Sequence, residues 1–232
     1  DADTIVMGEQ AARHLVRVLR LRAGDEFNVF DGHGLERRAR LLSAGKGEAT
    51  AELHEVTGNR CESPLNVTLL QGICRGERMD YVMQKATELG VSTIRPVVTA
   101  RCVVRPDASR TDKRLAHWAR VTASACEQCG RAVVPAITAP VDFDNAIAEA
   151  GHEGLKLVMD PRSGRPPGAF STATDRVTVI VGPEGGLNQA EISAALDAGF
   201  MAASLGPRVM RTETAAVAIL AVLQSLWGDL GP

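Results

Sequence analysis

The sequence is poor in aromatic residues, carries little net charge and contains no long apolar run. Phe, Trp and Tyr together make up 3% of its 232 residues, which argues against an aromatic platform that stacks several bases. The formal net charge at pH 7 is −2, so an anionic partner must be bound by local basic patches. No apolar run approaches the roughly 20 residues of a membrane span, and no basic and apolar leader opens the sequence. We therefore expect a cytoplasmic protein that does not bind membranes.

Cysteines are too sparsely placed to suggest a metal site. Of the five cysteines, only Cys126 and Cys129 have the spacing of a ligand pair. A structural zinc site needs a second pair or closely spaced histidines, and neither follows. The two residues also lie within a helical pattern rather than at the start of a helix that follows a strand, where redox pairs occur. We expect reduced thiols and no bound metal.

The first 62 residues differ from the rest of the chain. Residues 9–21 have a helical periodicity that places Leu15, Val18 and Leu19 on one face. Short alternating stretches follow, separated by glycine-rich turns. Short strands at this spacing are typical of a small β-barrel. We therefore predict a barrel domain over residues 1–62.

Strands and helices alternate in the second predicted domain, residues 65–232, which follows a linker-like segment at 58–64. Gly90 and Gly199 are placed to end two of the helices. This alternation predicts an α/β domain with a parallel sheet covered on both faces. In such sheets ligands bind beyond the carboxyl ends of the strands.

The clearest local pattern is a strand, a glycine-rich loop and a helix. Residues 177–181 are an apolar strand, and Asn188 followed by Glu191 is a capping-box signature. The loop between them, Gly-Pro-Glu-Gly-Gly at 182–186, allows the backbone to approach a ligand closely. It has neither the Walker lysine nor the glycine spacing of a dinucleotide site, and the Glu184 carboxylate would repel phosphate. The loop suits a ligand that is neutral or cationic at its reactive end, although a turn without a ligand has the same pattern.

A second polar loop precedes the last helix. Residues 205–206 end a short strand, residues 207–211 form the loop, and Thr212 is a candidate N-cap with Glu213 in the first turn. Residues 215–223 are apolar nearly all round, which indicates a helix buried against the core or against a second subunit. Because the two loops follow adjacent strand ends, we expect them to form one pocket.

These motifs closely resemble the RsmE family of 16S ribosomal RNA (uracil-N3) methyltransferases, within the SPOUT class. The resemblance covers nearly the whole chain. It departs from the common family pattern at three positions. Met210 stands where Leu is frequent, Asn188 where Ser or Thr is frequent, and His117 where Arg is frequent. The resemblance rests on the following segments: HLVRVLRLRAGDEFNVFDG from His14, KATELGVSTIRPV from Lys85, EQCGR from Glu127, VGPEGGLNQAEI from Val181 and LGPRVMRTETA from Leu205.

The resemblance implies a PUA-like N-terminal β-barrel and a C-terminal SPOUT-type domain tied in a deep trefoil knot. It also implies a homodimer, S-adenosylmethionine as the cofactor, and 16S ribosomal RNA of the small ribosomal subunit as the substrate. The cofactor pocket that it implies contains Gly182, Pro183, Glu184, Gly185, Leu205, Gly206, Val209, Met210, Arg211, Thr214 and Ala215.

Methylation of uracil N3 requires loss of the N3 proton and stabilisation of the charge that builds up on O2 and O4. Arg211 and Arg131 are the candidate donors to these oxygens. Glu127 and Glu213 are the candidate proton acceptors, although Glu213 is equally explained as a partner of the helix dipole. The uridine must also leave its stack.

A stripe of arginines is the candidate RNA contact. Arg13, Arg17 and Arg20 fall at i, i+4 and i+7 of the first helix, and Arg22 follows. Contacts to phosphate position a protein on RNA without reading the sequence. A solvated helix face has the same pattern.

Three other functions stay open at this point. They are a nucleotide-dependent α/β enzyme of another class, such as an oxidoreductase, an RNA-binding assembly factor without chemistry, and a SPOUT-class methyltransferase acting on ribose 2′-O. The resemblance, which includes the barrel, favours methylation of the base.

Overall fold

A computed structural model describes residues 3–45, 47–58, 61–103, 108–151, 153–162, 164–170 and 175–231, with only the backbone described at 108–110. The chain divides into two compact units. The first ends at Glu62 and also includes Arg131–Val133, and the second contains Ser63–Gly130 and the chain from Val134 onwards. The short stretch after residue 130 is thus grouped with the first unit, although it lies within the second domain of the sequence analysis. No helix in the described parts of the chain is long and apolar enough to cross a bilayer.

The first unit is built on an antiparallel sheet of four strands in the order β1-β4-β3-β2. Three of the strands lie in the alternating stretches that follow the first helix, whereas β1 precedes that helix and was not predicted. A small core of Ala12, Leu15, Leu41 and Ala49 packs between the sheet and the first helix. The elements are β1 (Thr4–Gly8), α1 (Glu9–Arg13), a π-helical turn (His14–Val18), β2 (Glu26–Phe30), β3 (Glu36–Ala44) and β4 (Glu48–Thr57).

The α-helical part of the first helix is shorter than its periodicity predicts, because it continues as a wider π-helical turn. The Leu19 N–H donates to the His14 carbonyl, five residues back, at 3.1 Å, and the Leu21 N–H donates to the Leu15 carbonyl at 2.9 Å. Leu15 is buried, but Val18 is 65% and Leu19 is 50% exposed. Val18 and Leu19 therefore do not share the face of Leu15 as the helical period predicts, because the π-helical turn rotates them outward and Leu21 packs against the core instead.

The arginine stripe does not form in the predicted geometry. Arg20 lies beyond the end of the helix with a left-handed φ of 59°, so it shares no helix face with Arg13 and Arg17. Arg13 forms an ion pair with Glu9. The side chains of Arg13, Arg17, Arg20 and Arg22 are all exposed.

Glu62 fixes the second stretch of chain in the first unit. Its Oε2 accepts hydrogen bonds from Nη2 and Nε of Arg131, at 2.9 and 3.1 Å. Its Oε1 accepts from the backbone N–H groups of Ala132 and Val133. The Ala132 carbonyl in turn accepts from the Gly34 N–H at 3.1 Å. Arg131 is only 4% exposed, whereas the Glu62 side chain is 28% exposed, so the ion pair is buried on the arginine side.

We predict that Arg131→Leu lowers the free energy of unfolding by roughly 2–4 kcal/mol, because it leaves the Glu62 carboxylate without its charged partner. Arg13→Gln removes an ion pair whose side chains are 59% and 62% exposed, and it should cost less than about 1 kcal/mol. Urea unfolding of both variants measures the difference. Equal losses would contradict the role assigned to the buried pair.

The second unit contains the predicted parallel sheet, in the order β11-β9-β10-β5-β6-β7, with β8 also beside β6. Every strand pair in it is parallel. The elements are β5 (Asn66–Gly72), α2 (Glu77–Glu88), β6 (Thr93–Val98), α3 (Ala108–Cys129), β7 (Ala136–Ile137), β8 (Val141–Asp142), α4 (Phe143–Ala148), β9 (Leu155–Met159), β10 (Arg176–Val181), α5 (Gln189–Asp197), β11 (Met201–Ala203) and α6 (Thr212–Trp227).

Helices cover both faces of this sheet, as predicted. Residues at alternate strand positions point to opposite faces. On β10, Val179 packs into a cluster with residues of α2, α3 and α6, whereas Ile180 packs with residues of α4 and α5. The predicted helix ends are confirmed by Gly90 and Gly199, which have φ angles of 74° and 85° just beyond α2 and α5.

A buried amide fixes the position of α6. Gln224 Nε2 donates to the Leu89 carbonyl at 3.0 Å, and Gln224 Oε1 accepts from the Ser63 hydroxyl at 2.6 Å. Glycines make room for this side chain: a Cβ atom would lie 2.7 Å from Nε2 at Gly90 and 1.7 Å from Oε1 at Gly228. The amide is therefore held in one place along the helix axis.

The connection after β9 runs beside β11 and reaches α6. The Arg165 N–H donates to the Ala202 carbonyl at 3.0 Å, and the Ser204 N–H donates to the Arg165 carbonyl at 2.9 Å. Further along, a Cβ atom at Gly168 would lie 3.7 Å from Leu226. This segment thus contacts the chain on both sides of the loop that precedes α6. The trefoil knot implied by the resemblance stays a prediction.

Candidate active site

A cavity of about 330 Å³ opens at the carboxyl ends of β9, β10 and β11, within the size range of ligand pockets. Asp160 after β9, the glycine loop 182–186 after β10 and Leu205 after β11 contribute to its lining. The start of α6 contributes Thr212 and Ala215. The two loops singled out in the sequence therefore form one pocket. It lies at the carboxyl-terminal edge of the parallel sheet, where ligands bind in such folds.

Most of the residues implied for a cofactor pocket line this cavity. They are Gly182, Pro183, Glu184, Gly185, Leu205, Val209, Met210 and Ala215. Gly206, Arg211 and Thr214 belong to the same loop and the first turn of α6, but they are not in the lining. Sequence reasoning missed Asp160, although its place at the end of an apolar parallel strand was a usable signal. It also missed Arg101 and Arg162 at the cavity.

The Thr212 hydroxyl joins three segments of the site. It donates to the Gly182 carbonyl at 2.6 Å and accepts from Gln71 Nε2 at 3.0 Å. Gln71, fully buried near the end of β5, also donates to the Gly72 carbonyl at 2.9 Å. The prediction of Thr212 as N-cap is wrong: Arg211 occupies that position without a side-chain cap, because the Thr212 hydroxyl is committed to the glycine loop.

Two of the glycines are required by close backbone contacts. A Cβ atom at Gly72 would lie 2.5 Å from the Pro183 nitrogen, and one at Gly182 would lie 2.9 Å from the Leu187 nitrogen. Gly186 has a φ of 67°, a conformation that glycine adopts readily. The glycine loop therefore folds tightly against the end of β5, which frees its outer side for the cavity.

The predicted capping box is present at the start of α5. Asn188 Oδ1 accepts from the Glu191 N–H, and Glu191 Oε2 accepts from the Asn188 N–H, both at 2.8 Å. The other oxygen of Glu191 accepts from the Ala100 N–H at 2.7 Å, a contact that the local pattern does not contain. The cap therefore also ties the glycine loop to the segment after β6.

Glu184 presents a charged carboxylate at the cavity. Its Oε1 accepts from the Arg75 N–H at 2.9 Å and from Arg78 Nη1 at 3.1 Å, while its Oε2 is buried and has no hydrogen-bond partner among the described residues. Burial raises the pKa of the Glu184 carboxyl, but backbone hydrogen bonds and the Arg78 guanidinium outweigh this and hold the pKa below its ordinary value. Arg78 Nε also lies 3.9 Å from Glu213 Oε1.

The four candidate catalytic residues lie in two groups. Arg211 and Glu213 flank Thr212 at the start of α6. Arg211 is exposed, whereas Glu213 Oε2 is buried without a hydrogen-bond partner among the described residues. Glu127 is exposed on α3, and Arg131 is paired with Glu62 in the first unit. None of the four is among the residues that line the cavity, although Arg211 and Glu213 adjoin Thr212, which does line it.

All five cysteines are free thiols. Burial raises the pKa of the Cys74 thiol to about 12, so this group beside Thr212 is protonated at neutral pH. Cys126 and Cys129 both lie within α3, as predicted. Within the described residues, no cluster of three or more His, Cys, Asp or Glu side chains is suited to a metal ion.

We predict that Thr212→Val destabilises the protein by about 1–3 kcal/mol, because it removes the donor to the Gly182 carbonyl and one acceptor of the buried Gln71 amide. Thr214→Val, on an exposed position of the same helix, is the matched control and should change the free energy of unfolding by less than about 0.5 kcal/mol. Urea unfolding followed by circular dichroism compares the two. Similar losses in both variants would show that the hydroxyl does not hold the loops together.

A second prediction concerns the charge of Glu184. Because its folded-state pKa is lowered, the ionised carboxylate stabilises the fold above the unfolded pKa, near 4.5, and this contribution is lost as the pH falls through the folded pKa. Glu184→Gln should therefore be less stable than the wild type at pH 7, and the gap should narrow towards pH 3. Glu153→Gln, at a side chain that is 82% exposed, is the control. A gap at Glu184 that does not change with pH would exclude the charge as its cause.

Comparison with known proteins identifies the family. Residues 61–224 match the family model of the RNA methyltransferase domain, and residues 8–53 match that of the RNA methyltransferase PUA domain. The chain is 35% identical to the ribosomal RNA small subunit methyltransferase E of Synechocystis over 96% of this chain and 73% of that protein.

Two solved structures have the same fold over almost the whole chain. One is a ribosomal RNA small subunit methyltransferase E from Neisseria gonorrhoeae, crystallised with S-adenosylmethionine. It is 40% identical, with a TM-score of 0.92 over 98% of this chain and 94% of that chain. The other, a Legionella pneumophila methyltransferase in complex with the same cofactor, is 38% identical, with a TM-score of 0.92 over 99% of this chain and 94% of that chain. The chain belongs to the ribosomal RNA small subunit methyltransferase E family.

Proposed function

We propose that this chain transfers a methyl group from S-adenosylmethionine to N3 of a specific uridine in 16S ribosomal RNA, in the decoding region of the small ribosomal subunit. The observation that carries the proposal is the cavity between the two polar loops, which has the charged Glu184 carboxylate at its edge. The N. gonorrhoeae relative with the same fold was crystallised with this cofactor, and the relatives are named for the ribosomal RNA of the small subunit. A ribosomal substrate agrees with the expected cytoplasmic location.

The lining fits a cofactor with an apolar ring system, a cationic centre and a carboxylate. Val181, Leu187 and Met210 give the cavity apolar walls, and no lysine is among the described residues that line it. Glu184 at the cavity favours positive charge, while the buried Asp160 is paired with Arg162 at 3.5 Å. Arg101 and Arg208, which also line the cavity, can bind a carboxylate. When bound, S-adenosylmethionine supplies a methyl group activated by the positive sulfur.

The chain itself must take the N3 proton and stabilise charge on the uracil oxygens. We assign the first role to Glu213 and the second to Arg211, since both flank Thr212 beside the cavity lining. Glu127 is the alternative proton acceptor. Arg131 is the alternative donor, but its guanidinium is bound by Glu62.

A homodimer is part of the proposal. Ile219, Leu220 and Leu223 bury one face of α6 in the core. The opposite face is apolar but only half-buried, and it consists of Val217, Ala218, Ala221 and Val222. Leu226, 43% exposed, continues it towards the end of the helix. An uncovered apolar stripe on a helix suits a second copy of the chain.

The proposal is tested by incubating the protein with labelled S-adenosylmethionine and small ribosomal subunits from cells that lack this modification. Nucleoside analysis should find label in 3-methyluridine. Label in a 2′-O-methylated nucleoside would support the ribose-modifying alternative, and no transfer would support an assembly factor without chemistry. Calorimetry should show binding of S-adenosylmethionine but not of NADH; the reverse would indicate an oxidoreductase.

We further predict that Glu213→Gln lowers the single-turnover rate by about 10²–10⁴-fold, the usual contribution of a general base. Affinity for the cofactor, measured by calorimetry, should change little. Glu127→Gln is the matched control and should retain the wild-type rate. The opposite result would assign the proton to Glu127.

A further inference from the structure

A pair of adjacent apolar side chains projects from the first unit. Val18 is 65% and Leu19 is 50% exposed, and neighbouring Val16 is 42% exposed. Backbone hydrogen bonds of 3.1 Å to His14 and 2.9 Å to Leu15 hold the turn that carries them. Their exposure is therefore built into the turn and does not come from an unpaired backbone.

The conformation of Arg20 aims these side chains outward. Among the described residues other than glycine, Arg20 alone has a positive φ, of 59°. The left-handed region is uncommon for a bulky side chain, and such strain is concentrated at functional sites. Here it lets Leu21 turn inward to the core while Val18 and Leu19 stay outside.

The charged side chains next to this pair in the sequence are mainly cationic. Arg17, Arg20 and Arg22 are all exposed. Of the acidic residues nearby in the chain, Asp25 accepts the Arg22 backbone N–H at 2.8 Å, and Glu9 is paired with Arg13. The local charge is therefore positive although the whole chain has a net charge of −2, and this favours an anionic partner.

We propose that Val18 and Leu19 form an apolar wedge that packs against unstacked bases of the substrate RNA, while Arg17, Arg20 and Arg22 bind the adjacent phosphates. The inference rests on the proposed function, because it takes RNA as the substrate. Unpaired RNA offers apolar base faces and phosphates side by side, and inserted apolar side chains are a known way to separate bases. A symmetric contact with a second copy would instead bring this arginine cluster against itself.

The test compares two RNAs and four proteins. The RNAs are a 16S fragment with the target uridine in an unpaired loop and the same sequence annealed to its full complement. The proteins are the wild type, the double variant Val18→Ser/Leu19→Ser, Arg17→Gln and the control Val56→Ser, at a valine of the same sheet unit that is 63% exposed. Affinity is measured by filter binding over a series of KCl concentrations, after circular dichroism has shown each variant to be folded.

The double variant should bind the loop RNA about tenfold more weakly, with an unchanged slope of log affinity against log salt. Its affinity for the duplex should equal that of the wild type. Arg17→Gln should weaken binding to both RNAs and reduce the salt slope by about 0.7–0.9. Val56→Ser should match the wild type throughout.

Wild-type affinity of the double variant for the loop RNA would overturn the wedge. So would an equal loss on loop and duplex, or a change of oligomeric state in sedimentation, which would assign the surface to a protein contact. These results are distinct from failure of the proposed function, which would appear as a wild-type protein that places no methyl group on uridine N3.

Discussion

The hydrogen bond from the Thr212 hydroxyl to the Gly182 carbonyl is the contact on which the candidate site depends. The glycine loop and the start of α6 follow different strands, and nothing in the chain connectivity holds them at a fixed separation. Gln71 donates to the same hydroxyl from the end of a third strand. Thr212 and Gln71 are buried, so separating the loops would leave the Thr212 hydroxyl without both of its partners. The cavity therefore has walls fixed before any ligand arrives, which lowers the ordering cost of binding.

The carboxylate oxygens of Glu184 and Glu213, near this contact, differ in their hydrogen bonding. One oxygen of Glu184 is fully engaged, while Oε2 of both Glu184 and Glu213 is buried without a hydrogen-bond partner among the described residues. Arg78 from α2 lies near both carboxylates but is 46% exposed. Solvent therefore screens the attraction between its guanidinium and the two carboxylates. Unsatisfied buried acceptors are uncommon in folded proteins. Glu184 lines the cavity, whereas Glu213 lies outside the lining, next to Thr212 in the first turn of α6.

The architecture of the second unit could be predicted because its signals are local. The alternation of strands and helices, the glycines after α2 and α5 and the capping box of α5 each depend on residues close together in sequence. Contacts between distant residues carry no such signal. Glu62 and Arg131 are 69 positions apart, so nothing in the local pattern EQCGR indicates that the guanidinium is already engaged. Thr212 fits the pattern of an N-cap, but its hydroxyl donates to Gly182 and accepts from Gln71 instead of capping the helix. At residues 14–21 the helical period was real, yet a π-helical turn and one left-handed residue changed which side chains are buried.

The side-chain amide of Gln224 determines the position of α6 along its own axis. The apolar residues of α6 offer similar packing at several axial offsets, since one leucine or alanine replaces another with little penalty. A primary amide that is satisfied only between Leu89 and Ser63 removes this ambiguity, much as a single polar residue sets the alignment of a coiled coil. If α6 shifted along its axis by one turn, the Gln224 amide would be buried without hydrogen-bond partners. The same shift would move Thr212 away from the glycine loop. The contacts at the C-terminal end of α6 thus also fix the position of its N-terminal end beside the glycine loop.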